Sequence, residues 1–204
     1  MSNKKHFNVI PLFPSPLLSL VDDSLCDSVE NLFDSHTGEW QIPDVVNQNS
    51  RTKDVYVLNS NGKLLLNLTS ISKELINLVL KTSVDIKITT SWFTKVPPGE
   101  RGTPHTHNNS WWSGVYYFKD PISPIKFEKF SFGIDPLNEN QIREVNEFNS
   151  LSFSATPTRG TLLLFPSNTI HCIQKNTENS DRHTLAFNII PKGKIGNGDA
   201  IITL

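Results

Sequence analysis

The sequence predicts a mainly β chain, an all-β barrel or jelly roll with a few N-terminal helices packed outside, and three observations predict it. After residue 84, short runs of apolar and β-branched residues recur at even spacing with turn residues between them. Helical periodicity falls mostly in the first 82 residues. The longest apolar runs, 64–66 and 161–165, are strand-sized and far short of a membrane span.

Taken in order, residues 7–20 carry Pro11, Pro14 and Pro16 among large apolar side chains, which predicts an extended edge segment rather than a helix. A short helix follows over 22–33. Residues 55–58 and 63–68 flank Asn59-Ser60-Asn61-Gly62, whose Asn-Gly pair tolerates positive φ, so a hairpin is expected there. Ile71, Leu75, Leu78 and Val79 then recur at helical spacing behind Thr69-Ser70, giving a helix over about 70–82. Strands are predicted over 85–96, 114–119, 125–130, 151–154, 161–165, 171–174 and 183–190. The polar stretch 135–149 reads as a mobile excursion, either a rim of a site or an ordinary surface loop, and 193–199 as a loop leading to a last strand at 200–203.

A chain of 204 residues suits one domain, 1–204, with N-terminal strands and helices in 1–82 and a core barrel in 83–204. A formal charge of −1, from 19 basic and 20 acidic residues without a basic cluster beyond Lys4-Lys5, leaves no electrostatic footprint for nucleic-acid binding. The N-terminus is basic but runs into prolines, so it does not read as a signal peptide, and no membrane partner is expected. Two cysteines, Cys26 and Cys172, suit an intracellular chain with free thiols, hence a cytoplasmic location; Cys172 is expected in the core, pointing away from His171.

Chemistry concentrates in histidines. His105 and His107 alternate on an extended segment and point the same way, close enough to share one ion. His171, on a distant strand, completes a three-ligand face that leaves positions open for water, co-substrate or oxygen. Arg182 adds a guanidinium fork suited to a carboxylate, and Thr184, on the same strand face, adds a hydrogen bond. The loop before His105 is rich in Pro and Gly, a common mount for functional groups. His6, His36 and His183 lack such company, and His183 is expected to face away from Arg182.

The run His105-Thr106-His107-Asn108-Asn109-Ser110-Trp111-Trp112-Ser113-Gly114-Val115-Tyr116-Tyr117 resembles a His-x-His-x-x-Ser-x-x-Ser-Gly-Val-Tyr-Tyr signature of the 2-oxoglutarate and Fe(II)-dependent oxygenases, in particular small members from bacteria and their viruses. Residues 160–167 before His171, the block Arg182-His183-Thr184-Leu185-Ala186-Phe187-Asn188, and the opening Leu12-Phe13-Pro14-Ser15-Pro16 are similar to that group as well. The resemblance implies a double-stranded β-helix with Fe(II) at its mouth, His105 as first ligand and His171 as distal ligand, and Arg182 with Thr184 on the far carboxylate of 2-oxoglutarate. Tyr117 sits where related prolyl hydroxylases offer a hydroxyl to the same carboxylate; its other reading is a core aromatic. Most of the superfamily has His-x-Asp or His-x-Glu, whereas His107 stands at that position here. Three histidines are favoured over a carboxylate brought from elsewhere or a two-histidine site with an extra open position.

The implied activity is a dioxygenase that hydroxylates a substrate C–H bond with O2 and releases succinate and CO2. A prolyl or other peptide side chain is the first expectation for the substrate. Trp111 and Trp112, just past the ligand pair, are placed with Asn188 around the substrate pocket, and Trp92 and Phe93 could line it likewise, although core packing is the commoner fate of all four aromatics. Rival readings are a cupin-type three-histidine dioxygenase that does not use 2-oxoglutarate, a hydrolytic zinc enzyme, and a non-enzymatic jelly-roll binding or structural module. Under the cupin reading Arg182 is merely structural.

Overall fold

The computed structural model describes residues 8–42, 49–130 and 141–204. Its largest unit is a seven-stranded sheet built from β1 (Leu18–Val21), β2 (Trp40–Gln41), β3 (Ser50–Thr52), β4 (Asp85–Val96), β5 (Trp112–Tyr116), β8 (Thr161–Pro166) and β10 (Arg182–Lys192). The order is β1-β8-β5-β10-β4-β3-β2, and every pair is antiparallel. A three-stranded sheet, β6 (Ile125–Glu128) flanked by β7 (Ser152–Ala155) and β9 (Ile170–Ile173), faces it. The mainly β expectation holds, and the two sheets form a jelly roll.

Side-chain alternation divides the large sheet into two working faces. Phe93, Trp112, Tyr116, Leu162, Leu164, Leu185, Phe187 and Ile189 pack on one face against Cys26, Val29 and Leu32 of α1 (Cys26–Asp34) and Leu64, Leu68 and Ile76 of α2 (Gly62–Leu80). Their neighbours Val115, Tyr117, Leu163 and Phe165 point the other way, onto Ile125 and Phe127 of the small sheet. The helices therefore cover the back of the sheet, and its front is free to line a cavity.

Several sequence expectations are corrected. Residues 55–68 form no hairpin: a 3-10 turn, Val57–Ser60, leads directly into α2, which begins at Gly62, well before the expected start near residue 70. The Asn61 side chain accepts a hydrogen bond from the Leu64 N–H at 3.1 Å, so it caps a helix instead of turning a hairpin. Leu64, Leu68, Ser72 and Ile76 then bury one stripe of it. The extended N-terminal segment becomes regular only at β1, an edge strand paired with β8. The 193–203 tail holds a small antiparallel pair, β11 (Lys194–Ile195) with β12 (Ile202–Thr203). Cys172 is partly exposed rather than core, and both cysteines are free thiols. His6 and the first part of the 135–149 excursion lie outside the described residues; 141–149 is turn-rich and almost wholly exposed. No helix among the described residues is long and apolar enough to cross a membrane.

Candidate metal centre and anion pocket

Three imidazoles meet between the two sheets. His171 lies in the middle of β9, registered against Phe127 of β6. His105 joins it from the preceding loop through a two-way backbone bridge: the His105 N–H donates to the His171 carbonyl at 3.1 Å, and the His171 N–H donates back at 3.0 Å. His107 is anchored separately, its N–H donating to the Ser167 carbonyl at 2.9 Å. One ring nitrogen from each of the three lies within 4.8 Å of the others, and among the described residues no carboxylate joins the group.

The surroundings select the lone pairs. His105 Nδ1 lies 2.8 Å from the Thr103 carbonyl and His171 Nδ1 lies 2.9 Å from the Thr169 carbonyl. A carbonyl only accepts, so each Nδ1 carries the proton and each Nε2 keeps its lone pair for a ligand. Burial, and then the neighbouring His105, hold His107 down to about 4 and His171 down to about 3. Both rings are neutral at neutral pH. Three convergent imidazoles with open space beside them fit a divalent transition-metal ion with free coordination positions.

A buried guanidinium shares the cavity with the histidines. Arg182, the first residue of β10, is completely buried, and Nε, Nη1 and Nη2 all lack a hydrogen-bond partner within the protein. Its guanidinium stands 5.2 Å over the Tyr117 ring, and the buried Tyr117 hydroxyl lies near enough to interact with it but without the geometry of a full hydrogen bond. Burial lowers the proton affinity of Arg182, with Tyr117 opposing that shift, and burial raises the pKa of Tyr117. A buried, unpaired guanidinium is costly unless a ligand completes it. Thr184 Oγ1 lies 2.6 Å from Thr94 Oγ1, and both line the same cavity as Arg182 and the three histidines.

The cavity brings together His105, His107, His171, Arg182 and Thr184. Tyr117 is not part of the cavity wall; it packs in the core between the sheets, with its ring against Arg182. Of the four aromatics expected there, Trp92 lines the cavity, whereas Trp111, Trp112 and Phe93 do not. Trp112 is 2% exposed and sits in the helix-covered core, with Trp111 packed against that core. Because β5 already begins at Trp112, alternation sends 112, 114 and 116 backward and Ser113 and Val115 forward. Asn188 stands opposite Ser113 on the neighbouring strand, and it is Ser113 that lines the cavity. The Trp92 ring centroid is 5.6 Å from that of His107, and Phe165 and Phe187 also line the cavity. Thr94 and Asn49 also line the cavity, and no local sequence pattern marks either. Thr94 shares a strand face with Trp92 but becomes visible only through its register opposite Thr184. His183, as expected, faces away, its ring centroid 4.6 Å from that of Phe33 on α1.

Residues 90–188 match the model of a family described as "Putative 2OG-Fe(II) oxygenase". No curated protein matches the chain. Among solved structures, it is similar to a prolyl-4-hydroxylase from Pseudomonas putida, with 14% identity and a TM-score of 0.54 over 87% of this chain and 93% of that one. It is similar to HygX from Streptomyces hygroscopicus, solved with nickel, 2-oxoglutarate and hygromycin B bound, with 12% identity and a TM-score of 0.57 over 87% and 83% of the two chains. A viral collagen prolyl hydroxylase from Paramecium Bursaria Chlorella virus-1, in complex with 2-oxoglutarate, gives 10% identity and a TM-score of 0.53 over 85% and 94%. At such identities the likeness to these structures is one of fold.

Proposed function

We propose, for a chain whose residues 90–188 belong to the 2OG-Fe(II) oxygenases and which is accordingly an oxidoreductase, that His105, His107 and His171 hold Fe(II) and that Arg182 binds the far carboxylate of 2-oxoglutarate. The observation that carries this reading is Arg182: a fully buried guanidinium with three unpartnered nitrogens opens onto the same cavity as three metal-ready imidazoles. A bidentate carboxylate would satisfy that fork. A three-histidine dioxygenase that does not use 2-oxoglutarate gives it no such partner.

Fe(II) and 2-oxoglutarate, when bound, supply the oxidising power by which O2 converts a substrate C–H bond to an alcohol, with succinate and CO2 as co-products. The chain's own residues orient and shield. Thr103 and Thr169 carbonyls fix the His105 and His171 rings with Nε2 presented. Thr184 and Thr94, joined through their hydroxyls, and the Tyr117 hydroxyl supply further hydrogen bonds around the anion held by Arg182. His105 is exposed whereas His171 is 5% exposed, so the substrate approaches from the His105 side, past Trp92. A prolyl or other peptide side chain is the first substrate class, an assignment that leans on the fold shared with the prolyl hydroxylases named above.

The test is oxygen-dependent succinate release from 2-oxoglutarate with added Fe(II), with and without proline-containing peptides. Turnover is expected in the wild type and lost in His171→Ala. Arg182→Ala, checked for folding by circular dichroism, is expected to weaken anaerobic 2-oxoglutarate binding by about 2–3 kcal/mol, the worth of a charge-assisted hydrogen-bonded pair. Equal titration of the two proteins would remove Arg182 from the co-substrate site.

A further inference from the structure

His105 and His171 are oriented through their rings by backbone carbonyls, but His107 is placed by its backbone and by Trp92, so whatever fixes Ser167 fixes the third imidazole. Ser167, just past β8, is clasped on both sides. Its carbonyl accepts from the His107 N–H at 2.9 Å, and its own N–H donates to the Trp111 carbonyl at 3.1 Å. Its side chain enters a polar row across the front of the large sheet, buried at the two serines and half-buried at Asn188 and Thr90. The Ser167 and Ser113 hydroxyl oxygens are 2.9 Å apart, the Ser113 hydroxyl donates to Asn188 Oδ1 at 2.9 Å, and Asn188 Nδ2 donates to Thr90 Oγ1 at 3.1 Å.

The row has one direction. Because the Ser113 proton is committed to Asn188, the Ser167 hydroxyl must be the donor between the two serines. The chain runs from Ser167 through Ser113 and Asn188 to Thr90, on strands whose registers set Thr90 opposite Asn188 and Asn188 opposite Ser113. Ser113 is 2% exposed and Ser167 1% exposed, so a broken link leaves a polar group stranded where water does not reach it. An apolar pair would pack there at no such risk. A four-residue polar row ending on the one ligand without a ring-orienting carbonyl serves position rather than packing.

We infer that Ser113 and Ser167, supported by Asn188, are positioning residues for His107 and make this a three-histidine rather than a two-histidine metal centre. The inference rests on the metal-centre reading above. Its test uses the full-length, metal-free protein and needs no turnover. Co(II) is titrated into wild type, Ser113→Ala, Ser167→Ala, His107→Ala and the double variant Ser113→Ala/His107→Ala, and Cu(II)-loaded samples are read by electron paramagnetic resonance for the number of coordinated nitrogens.

The wild type should show three nitrogens, and each serine variant should bind Co(II) about tenfold more weakly with the nitrogen count falling toward two. In the His107→Ala background Ser113→Ala should cost nothing further, because a residue acting only through His107 has nothing left to position. Wild-type affinity and three nitrogens in both serine variants would overturn the inference while leaving the metal centre standing. So would an undiminished effect of Ser113→Ala without His107, since that marks general destabilisation of the sheet. A wild type that binds no Co(II) would overturn both readings at once.

Discussion

Arg182 and His183 are adjacent in sequence and serve opposite faces of one strand. Arg182 turns toward the cavity, whereas His183 is packed against Phe33 with its Nδ1 buried and unpartnered. Burial first, and then the positive charge of Lys119, hold His183 down to about 4. The consequence for stability has a definite sign. An unfolded histidine titrates near 6.5, so as pH falls below that value the unfolded chain takes up a proton that the folded chain refuses. The contribution is fully present above about pH 6.5 and drains away as pH falls toward about 4. In the metal-free protein His107 and His171 add to the same loss, for the same reason. Thermal melts of metal-free protein should therefore fall steadily between pH 6.5 and 4, and His183→Phe should flatten part of that slope. Identical slopes for variant and wild type would show that His183 is not held neutral by the fold.

At the scale of elements, β5 shows why a tight motif survives in the middle of a sheet. Gly114 sits between Phe187 of β10 and Leu164 of β8, and a Cβ built on it would lie 2.3 Å from the Phe187 ring. The ring occupies the volume that a side chain would need. Gly114→Ala should push Phe187 out of the helix-covered core and destabilise the protein by about 1–3 kcal/mol, the range for overpacking a filled site. Urea unfolding measures it, and a shift under about 0.5 kcal/mol, the scatter of ordinary surface changes, would mean the ring yields freely. Strands of this kind were legible because their periodicity and turns are local: β4, β6, β8, β9 and β10 all fall close to where sequence reading puts them. The start of α2 was not legible, since Asn61-Gly62 is equally good chemistry for a hairpin turn and for a helix cap. Only the core waiting for Leu64 and Leu68 decides between them. β2 and β3 are two and three residues long and exist through pairing that ends on β4, so nothing local announces them. The same division runs through the site. Histidine spacing and the Arg-x-Thr pair are local patterns, whereas Thr94 and Ser167 acquire their roles from strand register and a loop crossing.

For the whole molecule, the cavity spans the seam of the jelly roll. His171 belongs to the small sheet and His105 is bridged to it, while Arg182, Thr184 and Thr94 belong to the large one. A metal ion alone engages chiefly the small-sheet side, and an anion alone engages a guanidinium with no second anchor. An oxoacid bound to both would tie the sheets together, so the two ligands should stabilise the fold cooperatively. A ligand that binds only the folded state stabilises it by RT ln(1 + [L]/Kd), about 2.7 kcal/mol at a hundredfold excess over Kd. Under anaerobic conditions Mn(II), standing in for Fe(II), should raise the melting temperature modestly. 2-Oxoglutarate should raise it little by itself, and the pair should raise it by more than the sum of the separate shifts. Arg182→Ala should keep the Mn(II) shift and lose the cooperative part, and His171→Ala should lose both. Strictly additive shifts in the wild type would mean that ion and oxoacid bind at separate places, and the cavity would no longer count as one site built by two sheets.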